Sequence, residues 1–287
     1  MCYDFCVWRT SIIPKIVHLT FKDFKSLPIE IVCKNRTLEL RNPGYTFCYY
    51  DDAQMLTWVN DNCDLEVSKA FNSINQKYGV VRADLFRYLI IHKVGGIYLD
   101  IKSDCLVPFD VLISANDKFI TSHWMHSDGT IDSYFGNHKA FITSNLTEFQ
   151  QWFLMAEPKH YIMKDVVSTV LQNLSNKQTV FNTQFGRVGV LETSGPIVFT
   201  KVLSKFELGT DFTLINSKAD GLVYSIYDDS SFGSHHKLFP EHYSKLFEPI
   251  LNKSNTSSII STYFNRLFKQ YYLRLELKVL RLICNRN

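Results

Sequence analysis

The sequence predicts an α/β domain with a mixed, mainly parallel sheet and flanking helices, and three observations carry that prediction. Extended, β-branched runs alternate with helical periodicity through the first hundred residues, and the connections between them are short. A Gly-Gly stop then separates the clearest helix from a short apolar strand that ends on an aspartate. With 287 residues, 46% hydrophobic and 14% aromatic, the chain can close one large core.

Lys15 to Thr20 reads as a buried first strand opened by Pro14. A helix entered at Leu27-Pro28 carries Ile31, Val32, Leu38 and Leu40 until Asn42-Pro43-Gly44 breaks it. Tyr45 to Tyr50 has strand composition, and Asp51-Asp52 offers side-chain acceptors to cap a helix over Ala53 to Val59. From Val80 to Lys93, Val81, Leu85, Tyr88, Leu89 and His92 recur at helical spacing; Gly95-Gly96 stops the helix and Ile97 to Ile101 forms the next strand. Ligands of such sheets sit beyond the strand carboxyl ends, which places the residues just after Tyr98 in a site. In the second half, Lys118 to Ser122, Ser133 to Phe135 and Leu222 to Tyr227 read as strands, and Met163 to Leu174 and Ile197 to Phe206 as helices. With no repeat or Gly/Ser linker, residues 1–255 read as one domain and 256–287 as a basic amphipathic C-terminal helix.

Charge and cysteine usage narrow the function. The chain is +3 overall, but residues 251–287 hold seven basic residues against Glu276 and are +6, so the body is −3. An acidic body argues against a nucleic-acid partner. The tail suits either an anionic membrane surface, as peripheral contact, or packing on the domain with its charges solvated. Seven scattered cysteines without a CxxC pair point to a reducing compartment, and Met1 to Ile12 lacks the apolar run of a signal peptide or membrane anchor, so a cytoplasmic setting is expected.

Asp84 and Arg87 stand three residues apart on the Val80–Lys93 helix and share a face. Alone they could be a surface ion pair. What alters the reading is Asp100, a carboxylate at the end of a buried strand, because transfer from a nucleotide diphosphate needs an anchor for a divalent cation and carboxylate oxygens suit magnesium or manganese.

The run Arg82-Ala-Asp-Leu-Phe-Arg-Tyr88 followed by Gly95-Gly-Ile-Tyr-Leu-Asp100 resembles the sugar-binding region of the family 32 glycosyltransferases. That family includes yeast-type α-mannosyltransferases, sphingolipid mannosyltransferases and capsular polysaccharide enzymes, and the same segment is similar to that of the large clostridial glucosylating toxins. Ile13 to His18, Asn42 to Tyr45 and Asp51-Asp52 extend the likeness over the first 110 residues; Thr193 to Thr200 and His242-Tyr-Ser244 are weaker matches further on. The resemblance implies a nucleotide-diphospho-sugar transferase (GT-A) fold. It also implies transfer of a hexose from a GDP- or UDP-linked sugar to a glycan or lipid-linked acceptor, with retention of configuration.

By that resemblance, Arg82, Asp84 and Arg87 belong to the donor site, with Asp84 and Arg87 on sugar hydroxyls; Tyr98 lies beside the nucleotide, and Asp100 opens the DxD motif. The motif then departs from the family, reading Asp100-Ile-Lys102-Ser-Asp104. Protonated lysine has no lone pair for a cation. Either Asp104 or His242 joins Asp100 around Mn²⁺ or Mg²⁺, or Lys102 supplies part of the charge by contacting the diphosphate. Asp100, Lys102 and Arg87 are the candidate catalytic residues. His18, on the first strand, is either a satisfied core histidine or a neighbour of the donor nucleotide. Trp8, Trp58, Trp124 and Trp152 are core residues or sugar platforms, with Trp124 the foremost for stacking on an acceptor. A degenerate fold that binds a nucleotide sugar or glycan without turnover is the rival reading, and Lys102 is what sustains it. A phosphosugar or nucleotidyl enzyme would want a Gly-rich loop after the first strand, where the chain has Leu19-Thr-Phe-Lys22.

Overall fold

A computed structural model describes residues 12–124, 136, 138–142, 146–176, 185–227, 243–252, 263, 264 and 267. The first half forms β1 (Ile16–Thr20), α1 (Ile29–Arg41), β2 (Thr46–Tyr50), α2 (Asp52–Asn62), α3 (Leu65–Ser73), α4 (Gly79–Val94) and β3 (Gly96–Leu99). The chain continues through β4 (Asp104–Cys105), α5 (Phe109–Leu112), β5 (Phe119–Thr121), α6 (Lys139–Ile142) and β6 (Phe153–Ala156). It closes with α7 (Tyr161–Asn176), α8 (Gly186–Thr193), α9 (Pro196–Leu203), β7 (Thr213–Leu214) and β8 (Leu222–Val223).

Local chemistry sets the boundaries. The Asp51 carboxylate accepts from the Gln54 amide at 2.8 Å while the Gln54 side chain accepts from the Asp51 amide at 2.9 Å, a reciprocal cap that starts α2. Gly95 and Gly96, with φ of +72° and +95°, end α4 and turn the chain directly into β3. A Cβ on Gly96 would lie 2.5 Å from the Ile16 carbonyl oxygen, so only glycine lets β3 enter alongside β1.

The main sheet runs β2-β1-β3-β6-β5-β7. Pairs β1–β2, β1–β3 and β5–β7 are parallel, whereas β6 is antiparallel to both neighbours, so β6 alone runs against the other five. This is the mixed, mainly parallel sheet with flanking helices that the sequence predicts. Alternation divides the core between its two faces. Ile97, Leu99, Ile120, Phe153 and Met155 pack with α1 residues Ile31 and Leu38. Tyr98, Phe119, Leu154 and Ala156 pack with α4, α7 and α9.

The expected elements of residues 15–97 are all present, with β3 ending at Leu99 instead of Ile101 because the chain turns, the Ser103 amide donating to the Asp100 carbonyl at 2.9 Å. The strand expected over Leu222–Tyr227 shortens to β8, and Ile197–Phe206 becomes α9, started one residue earlier by Pro196. The strand at 133–135 and, apart from Tyr263, Phe264 and Leu267, the tail helix lie outside the described residues. Among the described residues no helix is long and apolar enough to cross a membrane.

Candidate active site

The site collects where β3 ends and β6 begins. Because β6 is reversed, its entering residues Gln151 and Trp152 stand at the same sheet edge as the departing Asp100, whose amide donates to the Trp152 carbonyl at 2.8 Å. Tyr98 and Asp100 are two apart and therefore share the α4 side of the sheet. From α4, Asp84 and Arg87 reach the same place.

Arg87 is the hub. Its Nη2 lies 3.2 Å from Asp100 Oδ1 and 3.4 Å from Asp84 Oδ1, its Nη1 donates to the Gln151 carbonyl at 2.7 Å, and its guanidinium sits 4.6 Å from the Tyr98 ring centroid. Burial opposes the charge, but Tyr98, Asp100 and Asp84 together outweigh it and raise the Arg87 pKa, so this cation is fixed. Asp84 is fully buried. Its Oδ2 accepts from Ser194 Oγ at 2.9 Å and its Oδ1 from Gln151 Nε2 at 3.4 Å. Burial pushes its pKa up to about 6, with Arg87 and Ser194 pulling the other way. The Tyr88 hydroxyl, one residue on from Arg87, lies between Gln151 Oε1 and the Ser194 carbonyl and ties β6 to the segment leading into α9.

Three residues of this network were not foreseen in the sequence. Gln151 carries no signal, while Tyr88 stands in the Arg82–Tyr88 run and Ser194 in the Thr193–Thr200 segment, both of which bear the likeness without giving these residues a role.

The other expected site residues are placed differently. His18 is buried with Nε2 3.0 Å from the Gly95 carbonyl and Nδ1 3.2 Å from the Tyr50 hydroxyl, and burial lowers its pKa to about 4. It clamps β1 to the α4–β3 turn and shares none of the Arg87 network's contacts. Arg82 lies over Phe71 at 5.2 Å and near Asp52, toward α3 and α2, with Nε unpartnered among the described residues. Tyr98 is buried, its hydroxyl bonded to Thr20 at 2.8 Å. Trp124 is buried too: its indole N–H donates to Glu148 at 2.7 Å and its ring meets Tyr224 edge-on, so the stacking role expected of it is replaced by packing.

Lys102 lies with its ammonium 3.7 Å from the Tyr224 ring centroid. Asp104 turns to α1, accepting from the Cys105 amide at 2.7 Å and standing 3.6 Å from Arg41, with Lys34 close enough to feel its charge. His242 lies outside the described residues. Of the two described residues considered for a metal, Asp100 is thus the one that joins the Arg87 network, paired with Arg87 itself. No group of three candidate ligands occurs among the described residues. Of the described residues considered for a metal, Asp100 alone would ligate a divalent cation here, whose other ligands would have to come from the diphosphate and water.

An arginine-held pair of carboxylates thus stands at the carboxyl edge of a mixed, mainly parallel sheet. Residues 28–119 match the family described as glycosyltransferase sugar-binding region containing DXD motif. The initiation-specific alpha-1,6-mannosyltransferase of Schizosaccharomyces pombe is 26% identical over 216 residues, covering 71% of this chain and 51% of that protein. Inositol phosphoceramide mannosyltransferase 3 of the same yeast is 30% identical over 105 residues, covering 37% and 28%. The chain spans about half the length, or less, of the curated relatives it matches. Among solved structures, the PaToxG glycosyltransferase superposes with a TM-score of 0.45 at 18% identity, over 67% of this chain and 68% of that one.

Proposed function

We propose that the chain is a retaining glycosyltransferase that moves a hexose, mannose being the first to test, from a GDP- or UDP-linked donor to a glycan or lipid-linked acceptor. The observation that carries this reading is the Asp84–Arg87–Asp100 centre: a buried carboxylate, a buried fixed guanidinium and a half-buried second carboxylate, mutually oriented at the sheet's carboxyl edge. Carboxylates accept from sugar hydroxyls and the guanidinium donates to them, so the centre suits a polyol better than an anion or an apolar ligand. The named activity of the mannosyltransferase relatives supports the choice of sugar.

In the transfer, the bond from the anomeric carbon to the β-phosphate oxygen breaks and leaves its electron pair on that oxygen. The acceptor hydroxyl oxygen bonds to the same face of the carbon, and its proton passes to the departing phosphate. Asp84 and Asp100 are both engaged by Arg87, which favours front-face attack over a covalent sugar on a carboxylate. The protein supplies position and electrostatics. The divalent ion of the family's motif would supply charge at the diphosphate, with Asp100 as its one ligand among the described residues considered for it, and no step here depends on it.

A thermal-shift panel of nucleotide sugars, with and without Mn²⁺, followed by product detection, tests the reading. Stabilisation by one donor together with its slow hydrolysis or transfer is the expected result. Stabilisation without any turnover would replace it with the non-catalytic binding protein.

A further inference from the structure

We propose that Lys102, held on the face of Tyr224, is the cation that receives the donor's diphosphate, so that nucleoside diphosphate binding does not depend on a divalent metal. The inference rests on the glycosyltransferase reading and concerns the same edge of the sheet.

Place, support and charge all bear on it. Lys102 sits in the turn that follows Asp100, closed by the Ser103 amide on the Asp100 carbonyl at 2.9 Å, at the sheet edge where ligands of such folds lie. The turn is pinned to the Tyr224 segment from both sides: the Ile226 amide donates to the Lys102 carbonyl at 3.0 Å, and Ser103 Oγ donates to the Tyr224 carbonyl at 2.5 Å. Trp124 and Trp152 meet the Tyr224 ring edge-on at 5.1 and 5.7 Å and hold it in place. The perch is therefore built before any ligand arrives.

The charge is what makes the perch a site. Lys102 is 8% exposed, and among the described residues its ammonium has the Tyr224 ring as its contact, with no carboxylate and no hydrogen-bond acceptor. Both acids beside it in sequence are committed elsewhere, Asp100 to Arg87 and Asp104 to Arg41 and the Cys105 amide. An aromatic face attracts a cation without neutralising it. An ammonium on a buried stem, without a counter-ion among the described residues, favours an anionic ligand, and the charge that develops on the leaving β-phosphate is what a fixed cation stabilises. The same ammonium repels a divalent ion and offers it no lone pair. Lys102 thus takes over, as an organic cation, the work that the third position of a DXD motif does through a metal.

Calorimetric titration of the full chain with UDP and with GDP, in EDTA and again with Mn²⁺, tests this. The nucleotide that binds is expected to do so in EDTA within about threefold of its affinity with Mn²⁺. Lys102→Met should weaken it about tenfold or more, as expected for a lost charged contact, while leaving the matching monophosphate unchanged. Lys102→Arg should restore most of the affinity. Tyr224→Leu, which removes the perch and keeps the charge, should weaken binding less than Lys102→Met and covers the case in which that variant does not fold. Binding that requires Mn²⁺, or a folded Lys102→Met that binds like the parent, overturns the inference alone. Failure of both nucleotides under every condition overturns the glycosyltransferase reading, and the inference with it.

Discussion

The two walls on either side of Asp100 are built on opposite electrostatic plans. On the α4–β3 wall, Arg87 is shared between Asp84 and Asp100, Asp84 takes further bonds from Ser194 and Gln151, and Tyr88 locks the donors in turn. On the β4–β8 wall, Lys102 rests on an aromatic ring with no carboxylate partner among the described residues. The first wall is neutral to slightly negative and hydrogen-bond rich, suited to a neutral polyol. The second is positive and unbalanced, suited to an anion. A nucleotide sugar has both halves, and the contrast predicts which variant harms which half.

The largest effect should come from breaking the first wall. Asp84→Ala removes one of two carboxylates from a buried arginine, and losing a partner of such a pair costs about 3–5 kcal/mol, with Asp100 keeping the loss near the low end. Turnover of the donor should fall by about 10²-fold or more, by analogy with removal of an oriented hydrogen-bonding group. Urea unfolding and steady-state kinetics read the two effects. A folded Asp84→Ala that keeps its turnover would remove the sugar from this wall.

A subtler effect separates charge from contact. Burial lifts the Asp84 carboxyl from its ordinary 3.8 to about 6, so activity that needs the carboxylate should decline as pH falls through 6. Ser194 donates to the charged form, and Ser194→Ala should therefore move that acid limb to higher pH. The stability contribution has the opposite sense. With a folded pKa above the unfolded one, the protonated group stabilises the fold below about 3.8, and this is lost as pH rises through 6. A profile of kcat/KM against pH for both proteins checks the shift; coincident acid limbs would mean that another group sets them. Lys102→Met, on the other wall, should lower affinity and leave this limb in place.

How much of this was readable beforehand follows the same division. Residues 15–100 were legible because periodicity, the Asp51 cap and the Gly95-Gly96 stop agree with one another. The strand β6 was not, because Phe153-Leu-Met-Ala is buried on both faces and shows no alternation, and its residues favour helix as readily as strand. Missing β6 meant missing Gln151, which reaches Asp84 only because that strand is reversed. Asp104 looked available as a ligand on spacing alone. The turn after Asp100 and the pairing of β4 with β8 point it at Arg41 instead, a tertiary outcome that no local pattern records. His18 was ambiguous for a similar reason: its two partners, Tyr50 and Gly95, are 32 and 77 residues away.

The smallest expected effect tests whether the first wall needs its footing as well as its charges. Thr20, at the end of β1, shares a buried hydrogen bond with the Tyr98 hydroxyl at 2.8 Å, and the Tyr98 ring in turn lies against the Arg87 guanidinium. Thr20→Val keeps the volume and leaves the Tyr98 hydroxyl without that partner, which should cost about 1–2 kcal/mol. Arg87 retains its two carboxylates and the Gln151 carbonyl, so its position should change little and turnover should fall less than about threefold. Thermal unfolding and donor hydrolysis measured on the same preparation compare the two. If turnover fell as far as it does in Asp84→Ala while the protein stayed folded, the Tyr98 ring, more than the carboxylates, would be what orients Arg87.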